Sequence, residues 1–401
     1  MDRPARKVLI IGCGIAGPVL ALFLQRAGIE AEIYEAKAAS SDYGGSFLNM
    51  ACNGLNVLKS LGLDGPASGE GSPIPRLLIW SADGKRLGEV RNGAREEVGR
   101  PSICILRSRL HQVLRDGTER EGIKIAYGKK LTGLESGAHG VVATFADGTT
   151  AEGSHLVGCD GVHSRTRTLI NPGAPKPQYT GLISTGGFTP HSHFPPTPDI
   201  QHFIYGQQAF FGYHVSARGD LYWFVNFPQQ EAPLRGDVDL IVSDEWQARM
   251  FDLFREDQPL ISEMIRATES SIVAYPIYDI ATQPLWYKDR VVLVADAIHA
   301  ISPNAGQGAS LAMEDAIVLA KCLRDKEDHA LAFVTYEHLR RARVERAVRY
   351  GRTLGQTKVM TNPIQLWFRD RLMPFFLDRF ANPAALDWVY SYQVDWDEKV
   401  S

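Results

Sequence analysis

A short, largely apolar run, Lys7-Val8-Leu9-Ile10-Ile11, feeds straight into a turn punctuated by three glycines, Gly12-Cys13-Gly14-Ile15-Ala16-Gly17. No other feature constrains the fold so tightly. An unbroken apolar run of strand length suits a strand buried on both faces, as in a parallel sheet covered by helices. Gly12 permits the sharp bend, Gly14 lets a diphosphate approach the backbone, and Gly17 lets the next helix lie close on the strand. That helix carries Ala21, Leu22 and Leu24, and Gly28 is placed to end it. A second strand, Ala31-Glu32-Ile33-Tyr34-Glu35, ends in a carboxylate eighteen residues past Gly17. Glu35 can accept both ribose hydroxyls of an adenosine and would repel a 2′-phosphate. The expected site is Gly12, Gly14, Ile15, Ala16, Gly17, Glu35, Ala36 and Lys37. NAD and FAD fit it equally.

Two later stretches repeat the step from strand to acid. In Leu156-Val157-Gly158-Cys159-Asp160-Gly161 a strand ends at an acid, Gly161 bends the chain, and a helix begins before Arg167. In Val291-Val292-Leu293-Val294-Ala295-Asp296 an apolar strand again ends in a carboxylate, where an acid needs a hydroxyl partner to justify burial. Pro303, Gly306, Gln307, Gly308 and Ala309 then lead into a helix through Leu311, Met313 and Ala316. Free N–H groups at that helix start suit a negatively charged ligand.

These segments, in this order, resemble the flavoprotein monooxygenases of the p-hydroxybenzoate hydroxylase type. The resemblance spans essentially the whole chain and implies FAD. It implies that Asp160, Gly161, Ser164 and Arg167 brace the pyrophosphate side, near where NAD(P)H docks as a transient cosubstrate. Asp296 would hold the ribityl chain, and Pro303 with Gly306 to Ala309 would face the flavin. Gly45 and Ser46, in Gly44-Gly45-Ser46-Phe47-Leu48-Asn49, match the segment beside the flavin. Arg107, in Leu106-Arg107-Ser108-Arg109-Leu110, matches an arginine that contacts it, with Arg109 the alternative. One position departs: the family carries glycine before the late acid, and here it is Ala295. The family mechanism implies that NAD(P)H reduces FAD, O2 adds at the flavin C4a, and the hydroperoxide passes one oxygen to an electron-rich substrate. No catalytic side-chain set is then required, because the flavin carries the chemistry.

The expected architecture is α/β: a Rossmann-like FAD domain, a mixed β-sheet substrate domain and C-terminal helices. Residues 1–75, 101–175 and 279–330 are assigned to the first, 76–100 and 176–278 to the second, and 331–401 to the third. The middle region is rich in aromatics, and Phe210–Val215 with Leu221–Asn226 reads as an antiparallel hairpin. Phe47, Phe211, Tyr213, Trp223 and Pro303 are the candidate substrate pocket, suited to a planar or polycyclic aromatic molecule. The apolar faces of the tail are expected to pack on the protein rather than on a membrane.

Exclusions follow from composition. A net charge of −3 gives no pull towards nucleic acid. Five scattered cysteines make neither a disulfide framework nor a zinc site. His191 and His193 lack a third ligand and His299 reads as structural, so no metal is expected. No stretch suits a signal peptide or a membrane span, and a cytoplasmic protein is the expectation. A second dinucleotide motif is absent, which disfavours the disulfide reductases. Rival readings are a tetracycline-inactivating monooxygenase, a ring-expanding oxygenase and, from another class, a non-catalytic escort on the same fold. Oligomeric state and the choice between NADH and NADPH are not written in the sequence.

Overall fold

A computed structural model of the chain describes residues 6–38, 46–94, 100–233, 243–280, 282–356, 358, 360, 362–380 and 383–400. The strand Lys7–Ile11 lies inside a six-stranded sheet. Its neighbours are His155–Gly158 on one side and Glu30–Tyr34 on the other, both parallel to it. Val291–Leu293 lies beyond the first and Lys124–Ala126 beyond the second, again parallel, and Tyr287–Lys288 closes one edge antiparallel.

Helices Ala16–Arg26 and Gly308–Asp325 pack on one another and join the sheet in a single core. Val8 to Ile11 are all buried, as the unbroken apolar run requires. In the first helix Pro18 sits in the opening turn, where its missing N–H costs nothing. Gly28, at φ +72°, ends that helix, its N–H donating to the Gln25 carbonyl.

A second, seven-stranded sheet is sewn from two distant stretches. Its order is Val273–Asp279, Gln178–Thr189, Leu221–Pro228, Phe210–Val215, Ile200–Tyr205, Arg76–Ser81 and Arg86–Arg91. All pairs are antiparallel except Ile200–Tyr205 with Arg76–Ser81. One face packs against helices Ser243–Leu253 and Pro259–Arg266, giving a separate core around Trp223, Trp246, Met250 and Phe254. The other face looks towards the short strand Phe47–Met50.

The chain continues through the long helix His329–Gln356 and the helix Pro363–Phe380. The latter meets the second sheet, Arg369 donating to the Tyr205 carbonyl at 3.0 Å. Its opposite side leaves Ile364, Trp367, Phe368, Leu372 and Phe375 exposed. Among the described residues no helix is long and apolar enough to cross a membrane.

Candidate functional site

Four loops leave the parallel sheet at adjacent strand ends. Ile11 is in register with Gly158 and with Tyr34, and Gly158 with Leu293. The glycine turn, the Cys159–Gly161 bend, Glu35 and Ala295-Asp296 therefore emerge side by side at the carboxyl ends of parallel strands. Open α/β sheets bind their ligands there.

Within the turn the glycines differ in what they permit. Gly12 has φ +108°, and a Cβ there would lie 2.5 Å from the Cys159 carbonyl oxygen. A Cβ at Gly17 would lie 2.1 Å from the Gly12 oxygen, so the helix can approach only with glycine. A Cβ at Gly14 would meet nothing within 4 Å: the backbone there faces open space. Glu35 clamps the turn, Oε2 accepting from the Cys13 N–H at 2.7 Å and Oε1 from the Lys37 N–H at 2.8 Å. A carboxylate has lone pairs left for further donors. Ile15 is half-buried, Ala16 buried, and Ala36 and Lys37 exposed.

Asp160 ties its own bend. Its oxygens accept from Ser164 Oγ (2.6 Å), Thr166 N–H (2.9 Å) and Thr166 Oγ1 (3.0 Å), and Ser164 caps the helix Arg165–Ile170 through the Arg167 N–H. Gly161, at φ +77°, has open space where a Cβ would stand. Arg167 is buried, donating to the carbonyls of Ala297 and Val162 at 2.8 Å each. Its guanidinium fastens the middle loop to the late one, a structural engagement that the sequence reading did not foresee.

Asp296 is exposed yet ringed by protein. Desolvation pushes its carboxyl above the ordinary range, while His299 and Arg107 pull it down. Arg107 thus acts on the late loop, and its N–H bonds Ser46 at 2.9 Å. Arg109 instead pairs with Glu70 at 3.5 Å. Ala295 has φ +56°, in the left-handed region where glycine is at ease and other residues are strained. Gly45 lies outside the described residues.

Behind this loop stands a buried charge network. His299 Nε2 meets Asp315 Oδ2 at 2.5 Å and Arg340 Nε meets Asp315 Oδ1 at 2.7 Å. Arg340 and Arg343 pair with Glu314 at 2.8 Å, and Asn53 bonds Glu314 and Gln307. Burial would raise the Asp315 carboxyl, but His299 and Arg340 hold it well below the usual range. His299 serves this network, as its structural reading expects.

Sequence reasoning missed His111 and Arg115, although with Arg107 they repeat every four residues along one helix face. His111 hydrogen-bonds the Cys13 main chain, and Arg115 bonds Tyr127 and acts on Cys13. Burial, then Arg107, Arg115 and Lys37, push the His111 imidazole down to about 4.

The donor set fits an anionic dinucleotide. Neither helix Ala16–Arg26 nor helix Gly308–Asp325 has a side-chain N-cap or an acid in its first turn. Gln307 is buried with its Nε2 unpartnered among the described residues. Gly308 and Ala309 open the second helix half-buried, behind the turn of Pro303 and the left-handed Gly306 (φ +60°).

The second sheet corrects the pocket expected from sequence. Phe211, Tyr213 and Trp223 point into the core against the two helices, not towards the glycine loops. Side chains alternate along a strand, so the opposite face belongs to their neighbours: Phe210 and Gly212 across from Asn226 and Phe224, and His214 across from Tyr222. Phe47 does meet that face, its ring centroid 5.5 Å from Tyr222 and 6.0 Å from Phe224. Asn49 reaches it too, donating to Gln201 Oε1 at 2.6 Å. Pro303 is exposed.

Residues 5–350 match the family model described as "FAD binding domain". The chain belongs to that family. Its cofactor is FAD. The flavoprotein is 31% identical over 368 residues to an aurachin C monooxygenase/isomerase of Stigmatella aurantiaca, covering 91% of this chain and 93% of that one. It is 28% identical over 383 residues to a 6-hydroxynicotinate 3-monooxygenase of Pseudomonas fluorescens, covering 90% and 94%. Klebsiella pneumoniae HpxO, solved with FAD and uric acid, superposes with a TM-score of 0.81 at 25% identity over 94% of this chain and 95% of that one. The flavoprotein is accordingly an oxidoreductase, related to FAD-dependent monooxygenases of small aromatic molecules.

Proposed function

We propose that this flavoprotein uses NAD(P)H and O2 to place one oxygen atom on an aromatic or polycyclic small molecule. In balance, substrate C–H, O2, NAD(P)H and a proton give substrate C–OH, water and NAD(P)+. FAD, when bound, supplies the two-electron reduction by nicotinamide and the activation of dioxygen. The chain's own residues supply the rest. The glycine turn and Glu35 hold the adenosine end, with Asp160 and Asp296 along the cofactor and Arg107 beside it. The uncapped start of helix Gly308–Asp325 favours negative charge on the reduced ring.

The observation that carries the substrate class is the aromatic face of the second sheet. Phe47, which leads out of the segment beside the flavin, meets Tyr222 and Phe224 edge-on, and Phe203 and Phe210 continue the wall. Such a wall suits a flat ring and keeps water away. In this reading the stretches 76–100 and 176–278 form the substrate-binding part, and 1–75, 101–175 and 279–330 the cofactor-binding part.

The test is NAD(P)H oxidation by the purified yellow protein with hydroxypyridines, quinolones, purines and polyketides under isotopically labelled dioxygen. A substrate should speed nicotinamide oxidation and leave a product carrying one labelled oxygen. Oxidation that yields only hydrogen peroxide with every compound would overturn the proposal.

A further inference from the structure

We propose that Lys358 is the polar anchor of the substrate pocket, and that the pocket takes an aromatic molecule bearing an ionised oxygen. This deepens the monooxygenase reading and rests on it. Lys358 is 8% exposed, and its Nζ lies 3.8 Å from the ring centroid of Phe210 and 5.7 Å from those of Phe203 and Phe224. These rings belong to the sheet face that Phe47 meets, opposite the core of Trp223 and Phe211.

The amine is poorly served there. An ammonium has three donors, and the hydrogen bond found is a long one, 3.4 Å to Asn226 Oδ1. The Asn226 amide is itself turned to Ser184 Oγ at 3.0 Å and the Val225 carbonyl at 3.1 Å. Among the described residues no carboxylate acts on Lys358, and burial pushes its ammonium down to about 7. Ring faces favour a cation but do not replace a counter-ion. Natural chains rarely bury a lysine without a partner.

A ligand's ionised oxygen supplies that partner. Carboxylate, phenolate and enolate share the required chemistry, and the last two also enrich the ring that is to receive oxygen. Phe203 and Phe224 are only half-buried, so part of each side chain stays accessible near the amine. Lys358 would then orient the substrate, with the aromatic wall fixing its plane.

Calorimetric titration of the FAD-loaded chain tests this with isosteric pairs. 2-Naphthoate against 2-naphthamide forms the carboxylate arm, and 2,4-dinitrophenolate against 2,4-dinitroaniline the phenolate arm, both at about pH 6, where carboxylate and phenolate are ionised and Lys358 is charged. The wild type should bind the ionised member at least about tenfold tighter in one arm or both. Lys358→Arg should keep that preference and Lys358→Met should lose it. Equal affinity within both wild-type pairs overturns the proposal, as does a Lys358→Met protein that still prefers the anion. The wild-type comparison stands even if a variant does not fold. Flavin content and product analysis on the same protein judge the monooxygenase reading separately.

Discussion

The main-chain N–H of Ala295 donates to Asp315 Oδ2 at 2.9 Å, so a non-glycine residue at φ +56° is pinned by a carboxylate that also holds His299 and Arg340. The late loop is thus shaped from behind by charge. It does not depend on a glycine in front.

Replacing Ala295 by glycine should therefore cost almost nothing. The left-handed conformation costs an ordinary residue about 1–2 kcal/mol, which offsets the lost methyl burial and the entropy of glycine. The control is Ala297→Gly, equally buried but without that strain, which should lose about 1–2 kcal/mol. Denaturant unfolding of the two variants side by side decides it, and equal losses would rule the strain out.

Asp315→Asn leaves a buried arginine and histidine without their shared anion and should destabilise the fold by about 3–5 kcal/mol. The native carboxyl titrates below its unfolded value, so its contribution is complete above the ordinary carboxylate range of about 3.9. It is lost progressively as pH falls below that range. Acid unfolding curves should show the wild type losing stability there more steeply than the variant.

Gly14 and Gly17 should separate folding from cofactor retention. Gly17→Ala drives a methyl into the Gly12 oxygen and should give unstable or insoluble protein. At Gly14→Val the added Cβ meets no protein atom within 4 Å, so circular dichroism should match the wild type while the flavin absorbance of the purified protein falls. A yellow, fully occupied Gly14→Val protein would place the diphosphate elsewhere.

Adjacent residues on one strand should behave oppositely. Trp223→Ala opens a cavity in the core behind the sheet and should cost about 3–5 kcal/mol. Phe224→Ala, on the half-buried face, should cost much less stability and instead raise KM for an aromatic substrate. The reverse pattern would mean that the sheet presents its other face to the flavin.

That strand also marks where sequence reasoning stops. The glycine turn, the two acids after apolar strands and the helix starts were legible because each is a local pattern with one physical reading. Tyr222-Trp223-Phe224 and Phe210-Phe211 were not, since both faces of this sheet are aromatic. With period two and no polar face, nothing local says which set turns inward, and a choice shifted by one residue inverts the whole wall. The arginines that pair with Asp315 and Glu314 were hidden for another reason: Arg340 and Arg343 stand on a separate helix and look like surface charge in the sequence. Ala295 was legible as the residue before the late acid, but only its backbone angle shows that it stands in the left-handed region.

The strand order has a consequence for how the molecule is made. Lys7–Ile11 is made well before its neighbour His155–Gly158, which follows only after more than a hundred further residues, and Val291–Leu293 comes after roughly as many again. That strand must wait, apolar and unpaired on one edge, until His155–Gly158 has been made, and His155–Gly158 must wait in turn for Val291–Leu293. A truncation before residue 291 should therefore aggregate rather than accumulate as a smaller, yellow fragment.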